Sequence, residues 1–301
     1  MGFKLANVDG RAALVAENNY FDLENISDGK LGSDPMAALD NLGLLHDLNE
    51  RLADKKPTGN LASAKLGSPA PRPNNGFGVG LNYLKHAEES GMDIPIVPMV
   101  FAKFQTSISG PADDVVMRSD YVDYEGELVF VVGKGGKDIP VENAWDHVAG
   151  LTVGNDFSDR CVQFMAGPPQ FNLGKSMDTF SPMGPVLVSP DLFEDPNKLE
   201  LTVKINGVQR QKETTDDLIF DVPTLVSYLS HLVTLNTGDV IFTGTPVGVG
   251  AAEASFLKAG DVVVTSIAGI GSISNKCVRG SDHPYANVVP PIIQNLIDKN
   301  R

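Results

Sequence analysis

One stretch constrains this chain more than any other: Asp123-Tyr-Glu125-Gly-Glu127 runs without a break into Leu128-Val-Phe-Val-Val132. An apolar run of this kind, rich in β-branched and aromatic side chains, reads as a strand buried on both faces. Extended backbone alternates its side chains, so the approach to that strand places Asp123, Glu125 and Glu127 on one face. A solvated acidic strand end is the plain alternative. The apolar continuation argues against it, because it carries the ladder inward, and carboxylates taken into a core need a cation.

A second apolar strand, Leu151 to Val153, ends in Gly154-Asn-Asp156 and can bring another carboxylate to the same point. Glu125, Glu127 and Asp156, without Cys or His, form a hard donor set. Mg²⁺ or Mn²⁺ is therefore expected, Ca²⁺ is compatible and Zn²⁺ is disfavoured. A dication on three ionised carboxylates keeps a formal charge of about −1, so an anionic substrate would need neighbouring cations; Arg160 and Lys175 are the candidates. The segment Asn82 to Glu89 adds a second element, since on a short helix His86 and Glu89 stand i,i+3 on one face. A carboxylate beside an imidazole fixes its tautomer and raises its basicity, which suits a general base acting on water. A helix over Tyr83 to Ser90 is too short to persist in water unpacked, and Gly80 and Gly91 bracket it, so a mobile lid is expected.

Around these segments the chain is strand-rich. Short β-type runs lie at Pro98–Phe104, Glu127–Val132, Gly150–Asn155, Gly184–Val188, Leu199–Ile205, Val240–Thr243 and Val262–Ile267, with a hairpin signal at Asn206-Gly207. Asp221 can cap a helix over Val222 to Val233, and helical spacing recurs from Met36 to Leu52. Three prolines between Gly67 and Gly76 suggest an extended, poorly packed connector, which places a boundary between a small N-terminal domain (1–70) and a larger domain (71–301). No βαβ rhythm supports a doubly wound nucleotide fold. The glycine patterns agree: Leu81 replaces the third glycine of a dinucleotide fingerprint, and Pro169 stands where a P-loop before Gly174-Lys175-Ser176 needs glycine. Gly244 to Gly250 opens no helix and reads as a loop allowing close backbone approach.

Lysine and arginine number 24 against 38 acidic residues, a formal charge of −14 that repels nucleic acid and anionic lipid. The first twenty residues carry Lys4, Asp9, Arg11 and Glu17 where a secretory leader needs an apolar core, and no apolar run is long enough to span a membrane. A soluble, cytoplasmic protein is expected. Cys161 and Cys277 have no metal or disulfide spacing and read as buried thiols.

Residues 76 to 278 resemble the catalytic domain of the fumarylacetoacetate hydrolase family. The likeness rests on six motifs in order: Gly80 to Glu89, Asp123 to Leu128, Gly154 to Arg160, Gly174 to Pro185, Asn206-Gly207, and Gly238 to Gly250. It implies an α+β, strand-rich mixed β-sandwich roll with a small N-terminal domain, assembled as a homodimer. It implies metal ligation by Glu125, Glu127 and Asp156, water activation by His86 and Glu89 on a mobile lid, and a lysine near the reacting carbonyl, Lys175. On the substrate side it implies Tyr83, Arg160, Gln163 and Thr243. Phe157 and Asp159 depart from the family's commoner small or aliphatic residues, and Ala166 to Gln170 is a variable loop.

The expected reaction is hydrolysis of a C–C bond in a small anionic 2,4-dioxo acid of the acylpyruvate type, giving a carboxylic acid and pyruvate or a substituted pyruvate. Two alternatives stand beside it. Oxaloacetate decarboxylation or 2-oxo acid isomerisation uses the same stabilised enolate, and a non-catalytic metal or sugar-acid binding protein would need no base.

Overall fold

The computed structural model describes residues 2–89 and 93–300. Its centre is the predicted acidic strand, Gly126–Val132, buried at every position. Alternation divides its side chains: Leu128, Phe130 and Val132 enter one core, whereas Val129 and Val131 enter another on the opposite face. That double burial explains why the run is apolar without a break.

Val148–Asn155 pairs antiparallel with it on one side, setting Gly126 opposite Asn155 and Glu127 opposite Gly154. Val240–Phe242 pairs on the other side and is itself parallel to Gly76–Gly80, which continues into Met99–Lys103. Beyond Val148–Asn155 comes Ser181–Val188, then the N-terminal strands Lys4–Val8, Arg11–Ala16 and Asn19–Asp22. A second sheet is ordered Val208–Thr214, Glu200–Ile205, Val262–Ile267, Gly271–Arg279 and Val115–Met117. It packs face to face on the first, with Leu201, Val203, Val263 and Ile273 meeting Leu128, Phe130 and Val153 in one core. Gly126 permits this approach, because a Cβ there would lie 2.2 Å from Val203 Cγ2. The architecture is the expected strand-rich α+β sandwich with mixed pairing.

Each expected β-run contains a strand, and Asn206 and Gly207 turn their hairpin with φ of 50° and 83°. Asp221 caps Val222–Leu232 by accepting the Thr224 N–H at 2.9 Å. The pattern from Met36 to Leu52 is divided into Pro35–Leu39 and Leu42–Glu50, with Asp40 and Asn41 between them. The proline-rich connector is better packed than expected: Ser68, Pro69, Ala70 and Pro73 are buried. Sheet hydrogen bonding also crosses the expected boundary at 70/71, since Lys4 pairs with Val188.

Candidate active site

Glu127 reaches the site from the second position of the central strand, and Asp156 from directly after its antiparallel neighbour. Glu125 precedes the strand in a short irregular segment, held by its N–H to Asn155 Oδ1 (3.0 Å) and by its carbonyl to the Asp156 N–H (2.8 Å). All three carboxylates are buried, and each offers an oxygen within 4.8 Å of the others. Asp123 does not join them. The backbone leaves the strand between Asp123 and Gly126, and Asp123 accepts instead from Arg160 (2.6 and 2.9 Å) and from the N–H groups of Tyr124, Gly250 and Ala251.

The two expected cations are present. Lys175 Nζ donates to Glu125 (2.7 Å), Asp156 (2.9 Å) and Ser158 Oγ (2.7 Å). Arg160 bridges Asp123 and Glu125 (2.7 Å) and donates to Gln163 Oε1 (2.9 Å). A third cation went unread in the sequence: Lys103, fully buried, donates to Asp156 and to the Lys175 carbonyl. The available signal was a lysine closing the apolar run Met99–Lys103, two residues after buried Phe101.

The electrostatics follow from this arrangement. Burial would raise the Glu125 carboxyl, but the Lys175 and Arg160 charges outweigh it and hold it at about 2. Glu127 goes the other way, pushed well above the usual carboxylate range by burial and by Asp156 and Glu125. Burial lowers Lys103 despite Asp156, whereas for Lys175 the attraction of Asp156 and Glu125 prevails over burial and raises it. Four buried carboxylates therefore face three buried cations, with Glu127 poorly compensated. An all-oxygen triad with one under-neutralised member fits a hard dication. Its charge would reverse the local balance and favour an anionic ligand.

The His–Glu pair lines one cavity together with Glu125, Arg160 and Lys175. His86 and Glu89 sit on the helix Leu84–Glu89, with Nδ1 of the ring 3.2 Å from Glu89 Oε2. The expected end of this helix at Ser90 and its hinge at Gly91 lie outside the described residues. Glu89 is fixed from its other side by the Gly248 N–H at 3.2 and 3.3 Å. The loop Gly244–Gly250 thus does more than allow close approach. Its N–H groups hold Glu127 (Gly244, 2.7 Å), Glu89 and Asp123 in turn. Gly244 has φ of 102°, and a Cβ there would lie 2.8 Å from that of Asn82.

A cavity of about 690 Å³ is lined by His86, Glu89, Glu125, Arg160, Gln163 and Lys175. Two expected substrate contacts fall elsewhere. The Thr243 hydroxyl is fully buried and donates to the Leu128 carbonyl (3.0 Å); the positive φ of Gly244 breaks the alternation, and Thr245 lines the cavity instead. Tyr83 is buried beside a separate recess bordered by Lys85, Glu213 and Pro246. Its hydroxyl has no hydrogen-bond partner among the described residues. Cys161 and Cys277 are buried as expected, and burial pushes both thiols up to about 12. No helix among the described residues is long and apolar enough to cross a membrane.

A two-sheet roll that sets a buried acidic triad and three buried cations beside a cavity lined by Glu125, Arg160, Lys175 and a carboxylate-backed imidazole defines a class of enzyme fold. The chain belongs to the fumarylacetoacetate hydrolase family: the model of the fumarylacetoacetate hydrolase C-terminal domain matches residues 75–278. It is 42% identical over 221 residues to the mitochondrial oxaloacetate tautomerase fahd2 of Xenopus laevis, covering 72% of this chain and 69% of that one. A Mycobacterium smegmatis crystal structure, provisionally described as HpcE, superposes with a TM-score of 0.85 at 42% identity, over 92% of this chain and 100% of its own. Maleylpyruvate hydrolase from Sphingobium sp. SYK-6, crystallised with manganese(II) and pyruvate, gives 0.78 at 28% identity, over 92% and 100%.

Proposed function

We propose that this chain is a divalent-metal-dependent enzyme that takes a 2-oxo acid through its enolate, with keto–enol proton transfer at C3 as its primary reaction. The observation that carries the reading is the single cavity shared by the His86–Glu89 pair, Glu125 and Lys175. The likeness to an oxaloacetate tautomerase supports this reaction type.

A dication held by Glu125, Glu127 and Asp156 would supply Lewis-acid polarisation of the 2-oxo group. Lys175 and Arg160 attract the substrate carboxylate and stabilise charge developing on oxygen. Glu89 holds the proton of His86 on Nδ1, which leaves Nε2 free to take the C3 proton while the C2 oxygen gains one, and to give a proton back to C3 as the enol oxygen loses its own in the reverse direction. Gln163 fixes the Arg160 guanidinium, and Lys103 holds Asp156 from behind.

Hydrolysis of a 2,4-dioxo acid is the second reading, favoured by the same pair and by the maleylpyruvate hydrolase likeness. In it, His86 takes a proton from water adding to the C4 carbonyl and Lys175 faces the oxyanion. The C3–C4 bond then breaks, giving a carboxylic acid and a pyruvate. The alternative without catalysis gives the His86–Glu89 pair no role.

The test compares decay of enol oxaloacetate, release of CO₂ from oxaloacetate, and pyruvate release from acylpyruvates, in Mn²⁺-loaded wild type and His86→Ala. Tautomerisation should be the fastest reaction. It should fall by about 10²-fold or more in the variant, the scale of general base catalysis, while oxalate still binds. Faster acylpyruvate cleavage would replace the first reading with the second. Oxalate binding without turnover would leave only a binding protein.

A further inference from the structure

The family match ends at residue 278, yet residues beyond it line part of the cavity. The C-terminal helix, Pro291–Lys299, packs against the helix Arg160–Phe164 and the turn Gly250–Glu253. Both elements carry parts of the site: Arg160 and Gln163 on the first, and on the second the Gly250 and Ala251 N–H groups that hold Asp123. Ile293 is fully buried and anchors the helix. Ile292 and Leu296, four apart and so on one face, line the cavity.

The arm leading to this helix is tied down by Asp159. Asp159 caps the helix Arg160–Phe164 through the Val162 N–H (3.1 Å), accepts from Ser119 Oγ (2.7 Å), and meets His283 Nε2 at 3.3 Å. The Tyr285 N–H donates to His283 Nδ1 (3.2 Å), so the ring proton sits on Nε2 and points at Asp159. The position that begins the Arg160 helix therefore also fixes where the arm starts.

The cavity lining is chemically mixed. His86, Glu89, Glu125, Arg160, Gln163 and Lys175 supply its charged and polar groups, whereas Met99, Phe164, Phe171, Val249, Ile292 and Leu296 supply apolar surface. A charged group set against those apolar side chains would pay a desolvation penalty. A hydrocarbon group would bury there.

We propose that Ile292 and Leu296 of the C-terminal helix are specificity-determining residues that select 2-oxo acids bearing an apolar group of several carbons at the end remote from the carboxylate. This rests on the 2-oxo acid reading above but on neither choice of reaction. Each added methylene that reaches the walls should tighten binding about fourfold, which makes 2-oxohexanoate roughly 50-fold tighter than pyruvate.

Calorimetric titration of the Mn²⁺-loaded protein with pyruvate, 2-oxobutanoate, 2-oxohexanoate and 2-oxooctanoate tests it. Replacing both Ile292→Ala and Leu296→Ala keeps helix propensity and should lower the hexanoate-to-pyruvate affinity ratio by about fivefold or more. Leu296→Trp fills the wall and should shift the affinity maximum to a shorter chain. A flat chain-length profile in the wild type, or a ratio and maximum unmoved in both variants, overturns the assignment while leaving the 2-oxo acid reading intact. Failure of every 2-oxo acid to bind overturns both.

Discussion

Replacing Lys103 by methionine should make the metal-free protein less stable and at the same time a better cation binder. Lys103 is fully buried and its ammonium donates to Asp156 and to the Lys175 carbonyl and stands over the Phe242 ring, so the change keeps an unbranched apolar side chain and deletes the charge. Removing one member of a buried pair costs about 3–5 kcal/mol. Lys175 still contacts Asp156, which places the expected loss near the lower figure. A dication on the triad meets the opposite effect. A unit charge roughly 5 Å away opposes it by several kcal/mol even at an effective dielectric near 20. Much of this is already offset by the ion pair itself. A residual gain of about 1.4–2.8 kcal/mol, ten- to hundredfold in affinity, is expected. Urea unfolding with and without saturating Mn²⁺ reads the first quantity, and calorimetric Mn²⁺ titration reads the second. The gap between variant and wild type should narrow when metal is present, by the difference in binding free energy. Weaker Mn²⁺ binding in the variant, with the same stability loss in both conditions, would refute this reasoning and make Lys103 a residue that shapes Asp156.

Glu127→Gln should fold, because it removes the least compensated buried carboxylate while keeping an acceptor for the Gly244 N–H; its Mn²⁺-induced stabilisation should vanish, and titration showing wild-type affinity would remove Glu127 from the triad. Amide exchange should be fast in residues 84–89 with metal alone and slow once oxalate is added, while Leu128 to Val132 stay protected throughout. Equal protection of 84–89 in both states would mean that the His–Glu pair is already locked before ligand arrives.

The acidic strand was legible because two periodicities agree there: carboxylates at every second position, then an apolar run that only a doubly buried strand tolerates. Glu127 stands on that strand, whereas Glu125 precedes it on irregular backbone and is drawn to the same point by its bonds to Asn155 and Asp156. Asp123 obeyed the same alternation on paper, but the backbone breaks after it and a guanidinium captures it. Lys103 was hidden because a lysine at a strand end ordinarily reaches solvent, and only the packing of a second strand pair encloses it. Thr243 and Tyr83 were placed by resemblance, which aligns positions but not the direction in which side chains point; one glycine with positive φ was enough to turn Thr243 away. The C-terminal wall could not be read at all, since Ile292 and Leu296 gain meaning only from the turn and helix they pack upon.

The loop from Gly244 to Gly250 serves as a common datum from which several parts are measured. One run of backbone fixes a carboxylate of the triad, the carboxylate that steadies His86, and the partner of Arg160. Since the contacts are made by peptide N–H groups, no side-chain exchange at Val247 or Val249 can erase them. The length of the run is what must be kept: one inserted residue displaces the remainder of the loop by up to about 3.8 Å, beyond the tolerance of a hydrogen bond. The side chain at Val249 can thus be traded for a new cavity wall, while Gly244, Gly248 and Gly250, where a Cβ would clash, and the count of peptide bonds between them stay fixed.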